Sequence, residues 1–313
     1  MANVPGIVKM ERWDAAGVEG ACIETQHYQV FTTLIDPLML RQVPSFVESA
    51  YRAYESQVPY RIQCMRKFKI YLFSDRMGWE QFTRVFTGPD AETYLKIREG
   101  AYVYNGICIA YNIGREQTFS VIGHEGWHQF NQGYFTYRLP SWLDEGVATL
   151  FETCRYKQGV FEFRPQDNLM RLVTLRKVMQ KERMISVADL ISLNPVQVLD
   201  GYGNDTDAAM TFYAQTYAMV RFLREYGYGR RLTKYHNLLL GGLRGTWPIE
   251  PYLVQMAADR NIPLTVAWNS RVSPILFKMY IDQDMELINA QYRQFCNDII
   301  YYVRLKEELQ QGK

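Results

Sequence analysis

Two imidazoles four residues apart, with a carboxylate beside the first, stand in the segment Ser120–Phe130, SVIGHEGWHQF. The chain has only 4 histidines, and two of them are here. Residues i and i+4 share one face of a helix, about 5–6 Å apart. His124 and His128 can therefore reach a single ion at the ~2.0–2.1 Å of a zinc–nitrogen bond. Glu125 is turned about 100° from His124 and can stand beside the ion, facing a water, without ligating. The arrangement on offer is a metal ion with an open position for water and a carboxylate standing beside that water. The opposing reading is a polar helix face that carries no metal.

The flanks suit a rigid seat for such a helix. Phe119, Val121, Ile122, Trp127 and Phe130 can bury most of its surface. Gly123 and Gly126 each cost about 1 kcal/mol against Ala inside a helix. What they offer in return is close approach of a substrate or of a neighbouring backbone.

A catalytic zinc site wants a third protein ligand and an open fourth position. The extended pattern HExxHxxGxxH would need Gly at 131 and His at 134. The chain has Asn131 and Tyr134, which excludes that subclass. The next candidate lies in Leu139–Glu152, LPSWLDEGVATLFE. Ser141 is expected as a helix N-cap, with Asp144 completing something like a capping box. Asp144 is then engaged at the helix start, and Glu145, turned about 100° away, is free to ligate. Gly146 and Ala148 are small enough for this second helix to pack close to the first.

HEGWHQ followed by WLDEGVATLFE resembles the gluzincin, or peptidase-MA-like, metallopeptidases. The second motif matches every fixed letter of the WLxEGxAxxxE of the aminopeptidase N family. The resemblance implies zinc held by His124, His128 and Glu145, with Glu125 as general base. It is firm over residues 118–156 and is closest to compact, mostly uncharacterised bacterial members. Tyr213–Leu223, YAQTYAMVRFL, is similar to the helix that carries the oxyanion-stabilising tyrosine in that family. The pattern selects Tyr213, with Gln215 and Thr216 replacing its Lys and Gly; Tyr217, one turn on, is the rival. The aminopeptidase GxMEN motif has no counterpart, since Gly100–Asn105 (GAYVYN) holds no acidic residue. That argues against exopeptidase action on free N-termini.

Other chemistry-bearing residues have blander readings beside them. His236 can polarise a transition state or simply sit on a surface helix, and His27 reads as structural. Glu152, seven residues after Glu145 and on the same face of the expected helix, can orient a ligand histidine or face solvent. Asp205 and Asp207 lie in a stretch lacking the terminal Glu of an EF-hand loop, which excludes that calcium site. The 5 cysteines form no CxxC motif and read as small buried residues, with one long-range disulfide left open.

These residues must be positioned by a chain of 313 residues, 48% hydrophobic and 22% charged, which is globular rather than disordered. The formal net charge of +2 gives no footing for nucleic acid. No apolar run reaches the ~18 residues of a membrane span. Strands are expected over His27–Thr33, Lys67–Phe73, Ala101–Tyr104 and Ile107–Tyr111, the last two joined at Asn105-Gly106. Helices are expected over Pro37–Ser56, Met77–Phe86, Thr118–Gln132, Ser141–Arg155, Asp167–Lys181, Ala208–Tyr226 and Asp284–Lys306. Pro195–Asp207 reads as a loop. Strands first and helices afterwards is an α+β order.

With the resemblance, residues 1–21 are expected as an N-terminal extension. Residues 22–156 are expected as a zincin-like α/β part holding both ligand helices, and 157–313 as a helical remainder of the same catalytic unit. The expected function is a zinc-dependent hydrolase, a metallopeptidase acting on peptides or proteins. The alternative is an inactive peptidase-like domain that binds zinc or a partner. The N-terminus has no signal-peptide core; the resemblance to exported bacterial proteins nevertheless favours a site outside the cytoplasm.

Overall fold

Two strands that the sequence reading leaves outside any element open the chain. The computed structural model describes residues 7–311 except 16, 65, 98–99, 194–206 and 260–265. In it, Lys9–Ala15 (β1) and Val18–Glu24 (β2) pair antiparallel. β1 is largely exposed, so no apolar period announces it. The expected strands follow as Tyr28–Thr32 (β3), Phe68–Phe73 (β4), Ala101–Tyr104 (β5) and Ile107–Tyr111 (β6). Asn105 and Gly106 both take positive φ, as a tight hairpin turn requires. The helices Pro37–Glu55 (α1) and Arg76–Thr87 (α2) begin on the carboxylates of Asp36 and Asp75, which cap the amides of Met39 and Gly78. Ala91–Leu95 (α3) is short, and Arg115–Tyr134 (α4) carries the HExxH motif.

The chain forms two compact units: residues 1–134 with 150–165, and residues 135–149 with 166–313. In the first, the strands lie in the order β1-β2-β3-β4-β6-β5. β3, β4 and β6 run parallel and the other pairs antiparallel. One core group joins Phe73, Trp79, Tyr102, Ile109 and Tyr111. A second aromatic group seats α4. Tyr51, Tyr54 and Phe68 all place their rings within 6.4 Å of Phe130, centroid to centroid. Each such buried ring is worth ~1.5–3 kcal/mol.

The helix expected over Ser141–Arg155 is shorter than its pattern. It runs only over Ser141–Ala148 (α5), followed by a 3₁₀ turn at Thr149–Phe151. Cys154–Lys157 (β7) and Val160–Phe163 (β8) then form a hairpin. Gln158 and Gly159 both adopt positive φ there. The β-branched and aromatic residues Tyr156, Val160, Phe161 and Phe163 favour a hairpin over a helix. The amide of Phe161 donates to Ser49 Oγ at 3.1 Å, tying the hairpin to α1.

The second unit is helical. After α5 come Leu169–Gln180 (α6), Val187–Leu190 (α7), Asp207–Gly229 (α8), Leu232–Arg244 (α9) and Pro251–Ala258 (α10). Val266–Tyr280 (α11) and Met285–Gln311 (α12) complete it. α8 is packed by α5, α6, α7, α9 and α12. It is buried nearly all round from Phe212 to Leu223, as a helix at the centre of a bundle must be. Its backbone leaves the helical region at Tyr226–Tyr228. The loop expected over Pro195–Asp207, with Asp205, lies outside the described residues apart from Asp207. Among the described residues, no helix is long and apolar enough to cross a membrane. All five cysteines are free thiols; Cys108 and Cys296 are buried, but Cys64 is exposed.

Candidate metal centre

The glycines of α4 are explained by what presses on them. The Tyr54 hydroxyl donates to the Gly123 carbonyl at 2.8 Å. A Cβ at Gly126 would fall on that same hydroxyl, and one at Gly123 on the backbone carbonyl of Phe151. The close approach is therefore made by neighbouring protein groups. Burial holds the Tyr54 pKa well above its usual value, so the phenol keeps its proton. Further along α4, the Gln129 amide donates to the carbonyls of Lys69 at 2.7 Å and Gly106 at 2.8 Å. The metal-motif helix is thus bonded both to β4 and to the turn between β5 and β6.

On this seat the rings of His124 and His128 stand 5.1 Å apart between centroids, at 66°. The ligand atoms of His124, His128 and Glu145 all lie within 4.8 Å of one another. Two imidazoles and one buried carboxylate are a donor set that suits a divalent transition metal. His124 Nδ1 lies 2.9 Å from Glu152 Oε1, and both side chains are largely buried. This bond fixes the ring and assigns ligation to its other nitrogen, Nε2. Glu152 does so from beyond the end of α5, not from a helical face shared with Glu145.

Two details of α5 depart from the sequence reading. Its N-cap is Pro140, without a side-chain bond, and not Ser141. What lies against Gly146 is α8: a Cβ there would lie 2.6 Å from the Thr216 carbonyl and from Val220.

Glu125 is half-buried. Burial first, and the charge of Glu125 second, hold the Cys108 thiol on β6 well above its usual pKa. Tyr213 is half-buried on α8, with the Arg171 guanidinium 5.1 Å from its ring centre. Tyr217 is fully buried, and its hydroxyl accepts from Arg221 at 2.8 Å. Gln215, where the family pattern has Lys, exchanges two hydrogen bonds with the backbone of Ile185. His236 is half-buried on α9, and burial together with the charge of Arg224 lowers its pKa. His27 has the structural role expected of it: its Nδ1 lies 2.6 Å from the buried Glu48 carboxylate, and its ring stacks on Tyr51.

A family model described as a protein of unknown function (DUF1570) matches residues 118–236. The matched stretch contains His124, Glu125, His128, Glu145, Glu152 and Tyr213. No curated protein matches the chain.

Proposed function

We propose that this protein is a zinc-dependent hydrolase of gluzincin type, a metallopeptidase cleaving peptide bonds. The observation that carries the reading is the convergence of the His124, His128 and Glu145 ligand atoms, with the unliganding carboxylate of Glu125 adjacent in sequence. A binding site for zinc alone has no use for that carboxylate, which disfavours the alternative of an inactive peptidase-like domain.

When bound, the ion supplies Lewis acidity towards a scissile carbonyl and acidifies water. The protein's own residues do the rest. Glu152 holds His124 in one tautomer and orientation. Glu125 takes the proton of the attacking water and passes it to the leaving amine. Tyr213 donates to the developing oxyanion, a role worth roughly 3–4 kcal/mol where such donors have been removed. Tyr217 is the weaker candidate because its hydroxyl is engaged with Arg221 in the core. An extended peptide adds to β5, which lies at the end of the sheet and whose turn is bonded to α4 through Gln129.

The test is paired. Metal content of the purified chain is measured first, and turnover of an unbiased peptide library second. One zinc per chain with cleavage supports the proposal. Zinc without cleavage of any peptide favours the binding domain, and a chain that takes up no metal removes both.

A further inference from the structure

Several of the described helices carry their own start signals, although α3, α9 and α10 have no side-chain cap. α1, α2, α6 and α7 begin with Asp36, Asp75, Asn168 and Ser186, and each of these side chains accepts from an amide of its own first turn. α5 does not. Pro140 has no acceptor on its side chain, and the helix has only 8 residues. So short a helix is marginal without external support, yet α5 carries Glu145, which completes the group begun by His124 and His128.

The support comes from α11, more than a hundred residues away. Asn269 Oδ1 accepts the Ser141 amide at 2.8 Å, supplying the cap that Pro140 lacks. Ser273 Oγ accepts Trp142 Nε1 at 2.9 Å. The Phe277 ring packs edge-on against Trp142, with centroids 5.6 Å apart. Asn269, Ser273 and Phe277 follow at i, i+4 and i+8, so one stripe of α11 grips the first two residues of α5. Asn269 and Ser273 are 0% and 1% exposed, so water does not compete for these bonds. Neither residue lies in the stretch matched by the family model.

We infer that Asn269 and Ser273 are positioning residues for the metal site, clamping the amino end of α5 so that the Glu145 carboxylate is presented in ligating geometry. The inference rests on the metal-binding reading and extends it to a segment outside the motif. Glu145 is one helical turn beyond the capped amide. Loss of the cap frays the turn that sets its direction, and a carboxylate misplaced by an ångström no longer closes the ligand set.

The experiment uses the full chain, stripped of metal and titrated with Zn²⁺ against a chromophoric chelator, with circular dichroism and thermal melts of the metal-free protein alongside. Asn269→Ala is expected to weaken zinc binding about 10-fold or more at a temperature where the metal-free protein remains folded. Asn269→Asp keeps an acceptor facing the helix start and is expected to restore affinity to within about threefold of the wild type. Equal zinc affinity of folded Asn269→Ala and the wild type overturns the inference, as does an Asp variant as weak as the Ala variant. If Asn269→Ala does not fold, Ser273→Ala decides: a loss of threefold or more supports the clamp, and unchanged affinity overturns it. A wild-type chain that binds no zinc fails the metal reading itself, and the first titration shows this before any variant is compared.

Discussion

His124 Nδ1 and Glu152 Oε1 are 2.9 Å apart, although 28 residues separate them in the chain. The carboxylate is reached only because α5 stops at Ala148 and the backbone turns before β7. Had the helix continued to Arg155, Glu152 would have followed the direction of Glu145. A carboxylate behind a ligating imidazole fixes its tautomer and raises its basicity. Glu152→Gln is therefore expected to weaken zinc binding by ~10–100-fold, with far-UV dichroism unchanged. Chelator competition measures this, and undiminished affinity would remove Glu152 from the site.

Glu125→Gln separates base from ligand. Zinc content should stay at the wild-type level, because Glu125 is not among the converging ligands. Hydrolysis of a substrate found by library screening should fall at least ~10²-fold. A metal-loaded variant that retains its rate takes Glu125 out of the mechanism.

The two tyrosines of α8 should respond in opposite ways. Tyr213→Phe is expected to leave zinc content and melting temperature nearly unchanged and to lower kcat ~10²-fold or more. Tyr217→Phe removes the acceptor of a buried guanidinium. It should cost ~1.5–3 kcal/mol of stability, the range for bonds to charged groups, with little effect on kcat. Steady-state kinetics and denaturant titration on the same two preparations make the comparison. If Tyr217→Phe alone lowers kcat, the oxyanion role moves to it; if neither does, His236 is the next residue to substitute.

Acid should weaken the first unit through Glu48. Burial works against this carboxylate, but hydrogen bonds from the His27 and Thr25 side chains and the His27 amide hold its pKa below the ordinary 4.5. A folded-state pKa that is depressed gives stability that is present above the unfolded value and lost as pH falls through the folded one. Glu48→Gln should thus be less stable than the wild type at pH 7, on the order of 1–3 kcal/mol. The gap should narrow below about pH 4.5, where the unfolded chain takes up the proton. Urea denaturation of metal-free protein across this range is the measurement, and a gap that widens towards acid contradicts the assignment.

The sequence alone determined the elements whose signals are local. Two histidines at i and i+4 need only a helix to share a face, and α4 supplies it. The alternation of His27–Thr33 and the Asn105-Gly106 turn likewise act over a few residues, and β3 and the β5–β6 hairpin follow. Glu145 was singled out by the family-like motif around it; capping does not set Asp144 aside, since Pro140 and not Ser141 is the N-cap. Tertiary structure decided what depends on partners distant in the chain. The exposed β1 is a strand because β2 pairs with it. α4 tolerates glycine at 123 and 126 because Phe151 and Tyr54 lie against it. Glu152 finds His124 because a hairpin signal after Thr149, not helix propensity, governs the chain there. α5 begins at Ser141, whose amide is accepted by Asn269 from α11. Local patterns report which face of an element is apolar; they carry no information on which remote side chain completes a hydrogen bond, since folding chooses that partner through packing of the whole unit.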